Sequence, residues 1–427
     1  MTSSLTPRGT LDVFLGEERV GRLEDRTLGY LAFDFDDDAI LKHGIGSRLL
    51  SVAIPFSYET VDPFVATPFF AGLLPEGRAR ERLANAFGVP LEDNWGLLRL
   101  LGRESAGALV IVPEGEQPSA LERAALRPLD DEELREEIER LTESPLGVTV
   151  QSDSVRLSLA GVQDKLPLVA VEEGRFALPL AGHPSTIIAK PERDVDRYPD
   201  LAANEGFCLA VAAAAGVPTA TASVRHVGQK RVLFVDRFDR QREGESLVRL
   251  HQEDACQATS VFPAQKYESG GGPSLAQVAE LIGANSVQPA LDRVALLRLT
   301  VANAALGNCD AHGKNVSFLH HEAGVQLAPA YDIVSTAAYG QLTDELAMRI
   351  GGASRLDEVD REAVLGAARA IGIGSRLAGR VAAETVAALL VALDTVTQRA
   401  EAEGWATPLI AEIAEATRRR ATRINAG

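Results

Sequence analysis

The spacing of apolar and polar positions changes character along the chain. Thr10–Leu15 and Gly29–Phe35 alternate or cluster apolar residues as strands do, and polar Arg22–Arg26 is expected to be a turn. Helical spacing runs through Pro68–Phe87, broken at Leu74-Pro75-Glu76-Gly77. Ala106–Val112 (AGALVIV) is short, rich in Val and Ile and stopped by Pro113, so a buried strand is expected there. Pro113–Arg127 then turns rich in Glu, Pro and Ala, the best linker in the chain. Asp130–Glu143 reads as an exposed acidic helix capped by Asp130 or Asp131.

Beyond the linker, Val155–Leu159, Leu166–Val171, Thr186–Lys190, Ala222–Val227 and Arg231–Phe238 read as strands. Between them Asn204–Ala215 has the pattern of a helix, closed by Gly216-Val217-Pro218 in the order of a C-terminal stop. From about Gln252 helices dominate, among them Pro289–Leu306. One hairpin interrupts them, Val316–His320 with Val325–Ala328, turning at Glu322-Ala323-Gly324. A β-rich half is thus followed by an α-rich half, with an N-terminal α+β module attached and no evident repeat.

Composition narrows the classes. The chain has 427 residues, enough for two or three packed units at roughly 150 residues each. Its 46% hydrophobic and 24% charged residues are globular proportions, which excludes disorder, collagen and coiled coil. With 43 Lys+Arg against 60 Asp+Glu the net charge is −17, unsuited to a sequence-independent coat on nucleic acid. Cys208, Cys256 and Cys309 lie far apart and form no CxxC, against a disulfide scaffold or cysteine zinc site. Met1–Phe14 shows no charged-then-apolar leader. The most apolar helical stretches, around Cys208–Val217 and Thr385–Leu393, are too short to span a bilayer. A soluble cytoplasmic protein with no membrane partner is expected.

Several decoys fall away. Phe33–Asp38 (FDFDDD) resembles the start of a calcium loop, but Ala39 stands where Gly is required and Ile45 where Glu is, so a solvated strand end is expected. Gly313-Lys314 is followed by Asn315, not Ser or Thr, and lacks the Walker glycine. No GxSxG or HExxH occurs, and His320-His321 on a strand would face opposite ways.

The chemistry concentrates in Asn303–Val334. Asp310 and Asn315 lie five apart in a polar loop after a long apolar helix, and Asp332 follows the hairpin. A carboxylate at 310 can take a proton from an attacking hydroxyl, while Asn315 and Asp332 can hold Mg²⁺, the oxygen set that phosphoryl transfer needs. Two turn-forming polar residues in a loop would look similar. Lys190 ends an apolar strand, where its ammonium can meet phosphates, and Glu205 on the next helix can hold it; a snorkelling lysine and a helix-start glutamate give the same pattern. Ser158–Lys165 lies between two strands with small residues at its tip, and such a loop can offer backbone N–H groups to phosphate, although a plain hairpin would read alike. Asp236-Arg237-Phe238-Asp239-Arg240 ends the last strand of the β-rich half, where a two-lobed kinase has its hinge; the bland reading is an exposed, salt-bridged strand end.

Taken in order, SLAGVQDKLPL (158–168), IIAKPE (187–192), NEGFCLAVAAAAGVP (204–218), VDRFDR (235–240), HQEDACQATSVFPAQKYESGGGP (251–273), GNCDAHGKN (307–315) and LAPAYDIVS (327–335) resemble the HipA family of serine/threonine kinases, the toxins of type II toxin–antitoxin modules. LLPEGRARERLA and LLGRESAGALVIVPE are similar to the family's N-terminal region. The resemblance implies an α+β, two-lobed protein-kinase/phosphatidylinositol-kinase-like fold with an N-terminal α/β subdomain and an all-helical C-terminal lobe. It implies a module at 1–115, a linker and helix at 116–150, a β-rich kinase N-lobe at 151–255 and a C-lobe at 256–427. It makes Asp310 the catalytic base and Asn315 and Asp332 the Mg²⁺ ligands. ATP would be met by Lys190, by the loop of Ala160, Gly161, Val162, Gln163, Asp164 and Lys165, and by His312 and Lys314 at the phosphates. Asp236, Arg237 and Phe238 would border the adenine, with Tyr331 beside Asp332. Ser158 matches the regulatory serine whose autophosphorylation inactivates the kinase; added charge in a tight loop beside phosphates must reorganise it. Asp164 and Asp236 stand where the family often has Glu. The implied partners are a helix-turn-helix antitoxin (HipB-like), operator DNA through that antitoxin, and an aminoacyl-tRNA synthetase as protein substrate. A small-molecule or lipid kinase, and a silent co-repressor acting with the antitoxin, are the rival readings.

Overall fold

The computed structural model describes residues 9–26, 29–118, 126–143, 165–172, 174–180, 183–192, 196–244 and 246–425. The expected strand Val155–Leu159, together with Ser158, Ala160, Gly161, Val162, Gln163 and Asp164, lies outside them. The chain divides into two compact units: Met1–Thr186 with Asp239–Pro263, and Ile187–Phe238 with Ala264–Gly427.

In the first unit β1 (Thr10–Leu15), β2 (Glu18–Asp25), β3 (Leu31–Phe35) and β4 (Leu109–Pro113) form an antiparallel sheet in the order β3-β2-β1-β4. Leu11, Val13, Val20, Leu23 and Phe33 point inward and are fully buried. Against them pack α1 (Asp37–His43), α2 (Pro63–Ala71), α3 (Gly77–Phe87) and α4 (Asn94–Leu101), which contribute Phe69, Phe70, Leu97 and Leu98 to the same core. Arg22–Arg26 is not a turn. Its residues Arg22–Asp25 belong to β2, because Val20 and Leu23 face the core while Arg22 faces solvent, and the chain reverses at Gly16 instead. Asp36, Asp37 and Asp38 open α1, where negative charge suits the helix N-terminus, and Arg19 pairs with Asp36 at 2.6 Å.

The expected linker ends in a short strand, β5 (Leu126–Leu129), which among the described strands pairs only with β7 (Arg175–Pro179), an edge position where Pro128 is tolerated. The acidic helix α5 (Asp131–Glu143) is capped as expected: the Glu133 N–H donates to Asp130 Oδ1 at 2.8 Å. β6 (Leu166–Glu172) pairs with β7.

The second unit carries β8 (Ile187–Pro191), β9 (Ala222–Val227) and β10 (Lys230–Asp236), antiparallel in the order β8-β10-β9. Helix α6 (Leu201–Ala214) lies on this sheet. It comes close because position 206 is glycine: a Cβ there would stand 2.3 Å from Val224 Cγ2. Back in the first unit, β11 (Arg240–Glu243) and β12 (Ser246–Arg249) make a hairpin, followed by β13 (Gln252–Asp254) and the short α7 (Ala255–Ala258).

The rest of the second unit is helical in its bulk rather than throughout. α8 (Leu275–Asn285) and α9 (Pro289–Leu306) precede the hairpin β14 (Ser317–His321) and β15 (Gly324–Leu327). A second hairpin, β16 (Glu345–Ile350) with β17 (Ala353–Arg355), joins the one expected. Helices α10 (Arg361–Ile371), α11 (Ser375–Ala402) and α12 (Pro408–Asn425) follow, with α11 packed on α6, α9 and α12. The Ala-rich Thr385–Leu393 is the interior of α11. No described helix is long and apolar enough to cross a membrane.

Candidate active site

Lys190 is the fourth residue of β8 and is buried. Its Nζ donates to Glu205 Oε1 at 2.6 Å and also reaches Asp332 Oδ1. These partners stand 15 and 142 residues away, on α6 and after β15. Asp332 holds a left-handed backbone with φ 51°, uncommon for a residue with a side chain and a form of strain often kept at functional sites. One ammonium thus serves two carboxylates. Burial pulls the Lys190 pKa down, but the charges of Asp332 and Glu205 outweigh it, so the amine is held protonated more firmly than usual. With two carboxylates on one ammonium, the more deeply buried acid is the less favoured as an anion: burial, with Asp332 close by, pushes Glu205 up to about 7.

Asp310 sits in a loop built by main-chain hydrogen bonds. α9 ends on Gly307, whose φ of 81° is the left-handed cap that glycine takes without strain. Asn308 Oδ1 accepts from the Asp310 N–H at 3.0 Å, and Asp310 O accepts from the His312 N–H and from Asn315 Nδ2, both at 2.9 Å. Asn315 therefore spends its amide donor on the loop, and its Oδ1 is the atom that could ligate a cation. The Asp310 side chain is half exposed; Tyr267 donates to its Oδ1 at 2.7 Å, and its Oδ2 lies 3.9 Å from His312 Nε2. His312 and Lys314 are buried behind it.

The Asp332 segment is tied to this loop and to α6. Tyr331 donates to Lys314 O at 2.6 Å, with Ser317 Oγ equally close. Thr336 Oγ1 accepts from the Cys309 N–H at 2.8 Å. Asn204, fully buried beside Glu205, clamps the Ser335 backbone: its Oδ1 accepts from the N–H at 2.9 Å and its Nδ2 donates to the C=O at 3.1 Å. From α12, Arg420 donates to Ala305 O at 2.8 Å and Leu306 O at 3.0 Å, satisfying the end of α9; burial lowers its pKa to about 10.

Phe238, just past β10, lies near Tyr331 with ring centroids 5.7 Å apart. Asp236 is exposed at the end of β10, whereas Arg237 is buried, as are Asp239 and Arg240, which pair at 3.0 Å. The bland reading of an exposed strand end therefore fits Asp236 alone. Lys165 is buried at the start of β6 in the first unit. The second unit thus gathers Lys190, Glu205, Asp310, His312, Lys314, Asn315, Tyr331 and Asp332 through linked contacts, with Phe238 against Tyr331. Sequence reasoning gave no role to Asn204, Tyr267, Thr336 or Arg420. A polar Asn-Glu pair on an otherwise apolar helix was a readable signal for Asn204; nothing local marks Arg420, which acts from 115 residues away.

The site can bind an anion at a buried lysine, hold a hard cation on oxygen and take a proton from a hydroxyl. Comparison with known proteins decides the family. Residues 157–393 match the HipA-like C-terminal domain, and residues 11–112 match the HipA N-terminal domain. The chain belongs to the HipA family. It is 39% identical to the protein Y4mE of Sinorhizobium fredii over 335 residues, 78% of this chain and 79% of that one. It is 32% identical to the serine/threonine-protein kinase toxin HipA of Shewanella oneidensis over 358 residues, 80% of this chain and 78% of that one. A solved HipA structure from Shewanella oneidensis MR-1, in complex with HipB and its operator DNA, superposes with a TM-score of 0.80 at 27% identity and covers 97% of both chains. The two-lobed α+β kinase-like architecture expected from the HipA motifs is the one observed, and the enzyme class is that of a protein serine/threonine kinase.

Proposed function

We propose that this HipA-family chain is the toxin of a type II toxin–antitoxin module. It would act in the cytoplasm as an ATP- and Mg²⁺-dependent kinase that phosphorylates a translation component, an aminoacyl-tRNA synthetase by family analogy, and so arrests growth. The observation that carries this reading is the meeting of Lys190, Glu205 and Asp332 from distant parts of the chain, beside a loop that presents Asp310 and Asn315. A carboxylate and an amide oxygen are hard donors of the kind Mg²⁺ accepts in small number, keeping its other positions for phosphate and water.

In this reading Asn315 and Asp332 hold the metal. Lys190, His312 and Lys314 face the phosphates, Ala160–Lys165 covers them, and Asp236, Arg237, Phe238 and Tyr331 border the adenine. The bound magnesium nucleotide supplies the phosphoryl group and spreads the charge that develops on its oxygens. Asp310 receives the proton of the acceptor hydroxyl, and Glu205 keeps Lys190 in place. Ser158 is the site of inactivating autophosphorylation. The partner is a HipB-like helix-turn-helix antitoxin, as HipB accompanies the Shewanella HipA, and operator DNA is reached through it. A net charge of −17 suits that indirect contact.

Intact mass after incubation with Mg-ATP tests the reading, for wild type and Asp310→Asn. One added phosphate mapped to Ser158, absent from the variant, is expected. No gain in either, starting from unphosphorylated protein, would count against self-phosphorylation and favour a silent co-repressor.

A further inference from the structure

Tyr267 is a residue to which neither the motifs nor the family reading gives a role, yet it touches the residue read as the base. Its hydroxyl donates to Asp310 Oδ1 at 2.7 Å, and its ring stands edge-on to His312, with centroids 5.3 Å apart and planes at 88°. The backbone that carries it is fixed on both sides. Lys266 O accepts from the Gly313 N–H of the catalytic loop at 3.1 Å, and the Glu268 carboxylate accepts from the Arg349 N–H of β16 at 2.7 Å. The turn is closed on itself by the Gly270 and Gly272 N–H groups, which both donate to Tyr267 O at 2.9 Å. Gly272 leaves no room for slack: a Cβ there would lie 2.5 Å from Gln265 O.

A carboxylate on a half-exposed loop rotates about a broad, two-fold torsion, so its two oxygens exchange freely unless a donor selects one. Here the donor is a phenol fixed by its own loop. With Oδ1 taken, Oδ2 is the oxygen left on the side of His312, at 3.9 Å from its Nε2. We propose that Tyr267 is a positioning residue for phosphoryl transfer, holding Asp310 so that Oδ2 receives the proton of the acceptor hydroxyl. The inference rests on the reading of Asp310 as the base. As the acceptor oxygen bonds to the γ-phosphorus of a nucleoside triphosphate and the nucleoside diphosphate leaves, the acceptor's proton passes to Oδ2. The phenol remains a donor to Oδ1 before and after, so the bond that orients the base need not break during the step.

The opposite role is also concrete: the phenol could merely occupy the place of the acceptor and block it. The two differ in sign. The test measures transfer from Mg-ATP to casein, to the chain itself and to water, with the full chain as wild type, Tyr267→Phe and Asp310→Asn. Tyr267→Phe keeps the ring against His312 and loses only the hydroxyl. Transfer is expected to fall about 10- to 100-fold, as misplacement of a reacting group costs, with KM for ATP and the melting temperature essentially unchanged. A rate that is unchanged or raised overturns the proposal, as does a loss matched by an equal loss of ATP affinity. Transfer by Asp310→Asn at the wild-type rate would instead remove Asp310 as base, whatever Tyr267→Phe does. Wild-type protein that transfers to none of the three acceptors sinks the reading of the site and this inference with it.

Discussion

Lys190 carries one positive charge between two carboxylates, and it and Glu205 are buried. Removing it leaves Glu205 buried with no cation and Asp332 beside it. Lys190→Ala is therefore expected to lower stability by roughly 3–5 kcal/mol, the scale for breaking a buried pair from one side, read from the urea midpoint at pH 7. Glu205 also sets a pH dependence with a definite sign. Its folded pKa, pushed up to about 7, exceeds the ordinary value of 4.5. Between those values the folded state holds more proton than the unfolded one, so this contribution is full below 4.5 and is lost as pH rises through 7. Urea midpoints at pH 5 and pH 7.5 should thus differ more in wild type than in Glu205→Gln. An equal difference in both proteins would show that Glu205 is not the group responsible. Glu192, raised by burial, acts in the same direction and cancels in this comparison.

Between elements, polar side chains substitute for backbone partners that α6 and α9 cannot supply alone. Asn204 reaches from α6 to both the N–H and C=O of Ser335, so Asn204→Ala leaves the buried Ser335 N–H without its acceptor and removes one of the two donors to Ser335 O, the other being the Ala338 N–H. A loss of roughly 1–3 kcal/mol is expected, together with weaker binding of Mg-ATP by calorimetry, because the segment after Asp332 loses its tether. Affinity and stability both unchanged would show that the tether does not position Asp332. The elements themselves were largely legible: α9 was expected at Pro289–Leu306 and lies there, since proline opens it and glycine closes it. Arg22–Arg26 was misread because a half-solvated strand shows polar residues in clusters when glycine stands among its inward positions, as Gly21 does. The hairpin of β16 and β17 was missed because its register slips between Glu345 and Ile350, which erases alternation.

At the scale of the whole molecule, packing decides the reactivity of groups whose type is known from the sequence. Cys208, Cys256 and Cys309 are all buried, and burial pushes Cys208 up to about 12. Native protein should react with an aromatic disulfide reagent at least about 100-fold more slowly than urea-unfolded protein, which should release three equivalents promptly. A fast first equivalent in the native state would mean that one thiol is open to solvent.

The sequence by itself determined the family, through motifs whose order is specific where each alone is weak, and among the described residues it gave several of the elements that carry them, such as β8, α6, β10 and the hairpin of β14 and β15. It also named Asp310, Asn315, Asp332, Lys190 and Glu205, because the spacing of polar residues at element ends is local information. Only the tertiary structure brought Lys190 to Asp332 across 142 residues, set Asp332 in a left-handed backbone, seated Tyr267 on Asp310 and sent Arg420 to the end of α9. Those contacts come from how the sheet, α6 and the C-terminal helices of the second unit bury their apolar faces together. Such burial is a property of all the packed surfaces at once, and no short stretch of residues encodes it.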